Sequence, residues 1–118
     1  MTLSQMRQAL DSWWQRTNRA SLAAKDSMAT LWELDRLYRS FDPQERFLAD
    51  QVFADWLNAA DQGKQWDARV MIGRHQIRSA IPRLEEYIRE LIRKDDPQSR
   101  AVAEDAQRTL DELIDSLD

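Results

Sequence analysis

The stretch Met71-Ile72-Gly73-Arg74-His75-Gln76-Ile77-Arg78-Ser79-Ala80-Ile81-Pro82-Arg83-Leu84 decides how this chain folds. It reads as the end of one helix, a short corner and the start of a second. Gly73 stands where the absence of a side chain lets two helices approach closely. Pro82 falls in the first turn of the following helix, where its missing N–H has no intrahelical partner to lose. Ile81, Leu84, Ile88, Leu91 and Ile92 then recur at helical spacing and predict a buried face.

Outward from this corner, the same punctuation appears twice more. Asp42-Pro43-Gln44-Glu45 predicts a helix start. Asp42 can accept from first-turn amides, Pro43 suits the first helical position, and Glu45 suits the positive end of the dipole. Asp95-Asp96-Pro97 repeats the pattern and opens a last helix to about Leu117, striped by Val102, Ala106, Leu110, Leu113 and Leu117. Between these signals the spacing predicts helices over about Leu3–Arg16, Ser21–Ser40, a third from Pro43 to Ala60 and a fourth over Gln65–His75. Thr2 with Gln5 forms a capping-box pattern, Asn18 reads as a stop, and Gly63 suits a left-handed cap. Predicted core residues include Leu3, Met6, Leu10 and Trp13 in the first helix, and Met28, Leu31, Leu34, Tyr38 and Phe41 in the second, widened by Trp32 and Leu37. In the third they are Ala49, Val52, Phe53, Trp56, Leu57 and Ala60. The expectation is therefore all-α, with about six helices in a single domain over residues 1–118.

From residue 65 to about 117 the chain resembles HEAT-like helical repeats. The residues that carry the likeness are Met71-Ile72-Gly73, Ala80-Ile81-Pro82, and Asp95-Asp96-Pro97 followed by Arg100, Ala101, Ala103 and Ala106. Two departures stand out: His75 replaces the family's usual leucine, and Gln76-Ile77-Arg78 replaces its usual Gly-Asp-Pro turn. The resemblance implies an α-solenoid-like C-terminal half packed on an N-terminal helical bundle, and a role in binding partners.

Composition narrows the function classes. The 118 residues contain no cysteine, which removes disulfides, thiolate zinc sites and cysteine nucleophiles. His75 is the sole histidine, so no two-histidine metal site can form within one chain, and Ile72 stands where a Glu-x-x-His di-iron motif needs its glutamate. The glycines do not form a phosphate-cradling loop. The N-terminal segment is interrupted by Gln5, Arg7, Gln8 and Asp11, unlike a signal peptide, and no stretch is long and apolar enough for a bilayer span. A soluble, cytoplasmic protein with no catalytic residue, cofactor, metal or membrane association is expected.

The formal charge is −4, but it falls in blocks. Residues 41–62 carry one basic and five acidic side chains, residues 63–94 eight and four, and residues 95–118 two and eight. The positive block is interleaved with Glu85, Glu86 and Glu90, which argues against a nucleic-acid grip. The acidic blocks suit a basic protein partner, whose approach they would steer. Candidate partner-binding residues are Asp42, Asp50, Asp55, Asp61, Glu104, Asp111 and Asp115. Trp66 joins them because it lies off the apolar stripes and tryptophan is enriched at interface hot spots. In general character the chain is similar to small helical immunity proteins. The expectation is a protein-binding module, foremost an immunity protein that neutralises a cognate bacterial toxin; the alternative is a regulatory adaptor or scaffold with HEAT-like repeats.

Overall fold

A computed structural model describes residues 1–24 and 28–116. It holds six α-helices and, among the described residues, no strand. They are α1 (Leu3–Ala23), α2 (Ala29–Ser40), α3 (Pro43–Trp56), α4 (Gln62–Arg74), α5 (Ile81–Lys94) and α6 (Pro97–Asp115). A 3₁₀ turn over Arg78–Ala80 leads into α5. Internal contacts divide the chain into two compact units, Met1–Val52 and Phe53–Asp118, with the division falling inside α3.

In the first unit, α1 packs against α2. The capping box forms as the sequence predicts: Gln5 N donates to Thr2 Oγ1 at 3.2 Å and Thr2 N to Gln5 Oε1 at 2.8 Å. Asn18 does not stop the helix, which runs on to Ala23. Arg19, Ala20, Leu22 and Ala23 all favour helix. The Ser21 and Thr30 hydroxyls meet at 2.8 Å in a buried contact between α1 and α2, and Thr30 also donates to Asn18 Oδ1 at 3.4 Å. The buried stripe of α1 is Met6, Leu10, Trp14 and Ser21, so Trp14 is buried in place of the expected Trp13, which is half-buried. The second helix begins at Ala29 rather than Ser21, and the part of that expectation on residues 25–27 lies outside the described residues. Its buried face is Leu31, Leu34, Asp35 and Tyr38 with Thr30. Trp32 turns about a hundred degrees away from Leu31 and is 50% exposed, so it does not widen the core, and Met28 is also exposed. Buried Asp35 holds Arg39 at 2.9 Å.

The start of α3 follows the sequence reading closely. Glu45 N donates to Asp42 Oδ1 at 2.8 Å, and Asp42 N donates to Glu45 Oε1 at 2.9 Å. Beyond it, Arg46 donates to the Arg39 carbonyl at 2.9 Å and its guanidinium lies over the Tyr38 ring. The Tyr38 hydroxyl donates to Asp50 Oδ1 at 2.7 Å. Ala49, Val52, Phe53, Trp56 and Leu57 are buried as expected. The helix ends at Trp56 and Ala60 is exposed, because Asp61 already caps the next helix. Asp61 Oδ1 accepts from Gly63 N at 2.8 Å and Lys64 N at 3.2 Å. Gly63 therefore sits in the first turn of α4 rather than in a left-handed cap.

In the second unit α5 packs mainly on α6, and α6 also meets α4. The close approach expected at Gly73 is real: a Cβ there would lie 3.3 Å from Thr109 Cγ2 on α6. The corner after α4 is a Schellman arrangement. Gln76 takes a left-handed conformation (φ 49°), Gln76 N donates to Gly73 O at 3.4 Å, and Ile77 N to Ile72 O at 3.0 Å. Ile77 buries its side chain beside this turn. His75 is the half-buried last residue of the turn, with its N–H bonded back to Met71 O. Leu84, Tyr87, Ile88 and Leu91 form the buried face of α5, whereas Ile92 points outward and is exposed. Asp95 is also left-handed (φ 52°), and Asp96 accepts from Ser99 N at 2.8 Å to open α6. Ala103, Ala106, Leu110 and Leu113 are buried on α6. The expectation for Leu117 lies outside the described residues.

Candidate functional site

The second unit carries an open cleft of about 800 Å³. Its edge is the link Leu57–Asn58–Ala59–Ala60 between α3 and α4. The first turns of two helices open onto it, α4 through Gln62, Gly63, Gln65 and Trp66, and α6 through Gln98, Ser99 and Val102. α5 supplies Tyr87, Glu90, Leu91 and Lys94. The local fold dictates this layout: Asp61 and Asp96 start two helices that both line the cleft, and each aspartate caps its own first-turn amides.

Arg69 lines the same cleft and is 8% exposed. Its Nη1 donates to Asp105 Oδ2 at 2.7 Å, while its Nε is buried and has no acceptor. Leaving a buried donor unmatched costs about 1–3 kcal/mol. Asp105 also accepts from Arg108 at 2.7 Å. Arg108, and then the charge and hydrogen bond of Arg69, hold the Asp105 carboxyl below its ordinary range. The Tyr87 hydroxyl donates to Gln65 Oε1 at 3.3 Å, and Gln65 Nε2 donates to the Ala59 carbonyl. Burial pushes the Tyr87 hydroxyl up, with Arg69 opposing. At Asp96 both carboxylate oxygens accept from Ser99, each at 2.8 Å, and those bonds hold its carboxyl low.

The residues expected to bind a partner separate into two sets. Asp42 and Asp61 are helix caps, Asp50 receives the Tyr38 hydroxyl, and Asp55 is paired with Arg83 at 3.0 Å. Those four carboxylates are engaged in local structure. Glu104, Asp111 and Asp115 are exposed and recur at seven and four residues along one outward stripe of α6. Asp111 accepts from Gln107 at 2.9 Å within the same helix. Trp66 is 37% exposed on the cleft wall.

The sequence reading missed Arg69 and Tyr87 as buried residues of a polar cleft. A charged residue at position 69, on the line from Gln65 to Ile72, was the available signal, because a cation on a helical stripe shared with apolar residues needs a partner. His75 is not part of the cleft lining. Among the described residues, no three His, Cys, Asp or Glu side chains group in a way that could hold a metal ion, and no helix is long and apolar enough to cross a membrane. Comparison with protein-family models, with curated proteins and with solved structures gives no match to this chain.

Proposed function

We propose that this chain is a protein-binding module that works by surface and charge matching, foremost an immunity protein that holds a basic toxin domain. One observation carries the reading: Glu104, Asp111 and Asp115 form an exposed acidic stripe along α6. α6 buries its opposite face of Ala103, Ala106, Leu110 and Leu113, so the stripe is presented on a firmly packed support. Acidic side chains so placed would speed and orient the approach of a cationic partner. The exposed rings of Trp32 (50%) and Phe47 (61%) in the first unit add apolar surface of the kind that interfaces use. The runner-up is an adaptor built on HEAT-like repeats, favoured by the Gly73–Thr109 approach between α4 and α6.

Co-expression with the product of an adjacent toxin gene tests the proposal. Rescue of growth, a co-eluting complex, and loss of both on combined Glu104→Lys, Asp111→Lys and Asp115→Lys substitution are expected. Growth arrest without a complex overturns the immunity reading. A complex with a non-toxic neighbour that survives the triple substitution favours the adaptor.

A further inference from the structure

We propose that an apolar groove on the first unit receives Ile114 and its flanking carboxylates from a second copy of this chain. The inference goes beyond the partner reading and needs no toxin to be present.

The groove is built by the α1–α2 hairpin. Met6 and Leu10 of α1 are buried and form its floor, while Trp13, Leu37 and Phe41 are half-buried and form its walls. Leu37 lies near the end of α2 and Phe41 just past it. The hollow measures about 230 Å³. Pockets that enclose small ligands run from about 300 to 1,000 Å³, so this one suits an aliphatic side chain pushed in from a protein surface.

Charge selects which side chain. Arg16 lines the groove one turn beyond Trp13 and forms no ion pair with a described residue. The exposed charges of α1 are Arg16 and Arg19, both positive. On α2, Glu33 is answered by Arg36 and Asp35 by Arg39. The groove therefore repels the basic partner assigned to α6 and accepts an apolar side chain with carboxylates beside it.

The chain itself displays such a side chain. Ile114 is 45% exposed on α6, with exposed Asp111 one turn before it and exposed Asp115 next to it. Arg108, within a turn of Asp111, is held by Asp105. Two other exposed apolar side chains stand in positive company, Ile92 beside Arg89 and Arg93, and Phe47 beside Arg46. Leu110 and Leu113 bury the opposite face of this part of α6, so Ile114 projects from a packed support. Each copy thus carries both halves of the contact, as self-association requires. The contact also covers part of the acidic stripe, so self-association and partner binding compete for Asp111 and Asp115.

Sedimentation equilibrium of the full chain, from about 10 µM to about 1 mM, tests this, because so small a contact gives weak association. The average mass should climb above the 13.9 kDa of one chain. Arg16→Glu and Ile114→Ser should each weaken association about tenfold, and Ile92→Ser should leave it unchanged. Arg16→Glu combined with Asp111→Lys and Asp115→Lys should restore it, because the charges are exchanged across the same contact. A mass of one chain at every concentration overturns the proposal. So does association that Arg16→Glu and Ile114→Ser leave intact, since the copies then meet elsewhere. Arg16, Asp111, Ile114 and Asp115 are all exposed, so the variants keep the fold. No toxin enters the measurement, so its result is separate from that of the co-expression test.

Discussion

Single residues set the backbone and titration behaviour of this protein. Gln76 occupies a left-handed position that a side chain disfavours, and it is exposed, so nothing is lost by removing it. Gln76→Gly should raise stability by about 0.5–1 kcal/mol in urea unfolding. Tyr38 is a second case. Burial, then its bond to Asp50, raises its hydroxyl well above the ordinary tyrosine range. A raised folded value means that the contribution is complete below the unfolded pKa of about 10 and fades as pH climbs toward the folded one. The protein should therefore lose stability with alkali above about pH 10. Tyr38→Phe should flatten that decline while costing about 1 kcal/mol at neutral pH, as measured by thermal melts across the pH range. The sequence showed Tyr38 on an apolar stripe. It could not show Asp50 above it, because Asp50 is twelve residues away on a different helix.

At the scale of elements, helix starts were the most legible feature. Asp42, Asp61 and Asp96 each accept from amides one turn ahead, because capping depends only on residues within that turn. Asp42→Ala should cost about 1 kcal/mol, and hydrogen exchange should quicken first at Gln44 and Glu45. Helix ends and buried faces were less legible. Asn18 has the composition of a stop, but the Ser21–Thr30 contact carries α1 past it. Trp13 and Trp14 are neighbours in sequence, and the apolar spacing alone does not choose between them; the fold buries Trp14. Gly73 shows the reverse case, where a local signal and the tertiary contact agree. Its Cβ would press on Thr109 by a few tenths of an ångström. Gly73→Ala should thus stay within about 1 kcal/mol of wild type, since helix propensity offsets the squeeze. Gly73→Leu should lose about 2 kcal/mol or more, because α4 and α6 must part. Equilibrium denaturation of both variants checks this.

Over the whole molecule, charge is laid down in blocks rather than mixed evenly. The C-terminal segment 95–118 has two basic and eight acidic residues, while 63–94 has eight basic and four acidic. Counting from sequence located the acidic surplus but not which acids remain available. The two caps, the Asp55–Arg83 pair and the Tyr38–Asp50 bond engage four of the seven expected acidic contacts, leaving the stripe on α6. If that stripe meets a basic partner, the association rate should fall steeply as salt rises, while dissociation changes little. Stopped-flow mixing at two ionic strengths reads this directly, and a salt-independent rate counts against the acidic stripe. The cleft escaped the sequence reading for a related reason. Its wall is drawn from three helices and a link, so no window of consecutive residues contains it.

The placing of the indoles gives the molecule an inherent optical asymmetry. Trp14 is buried and belongs to the segment up to Val52, and Trp56 is buried and belongs to the segment that follows. A variant keeping only Trp14 and another keeping only Trp56 would each emit from one half alone. Coincident melting curves from the two would mark a single cooperative transition, and separated curves would mark two halves that yield in turn.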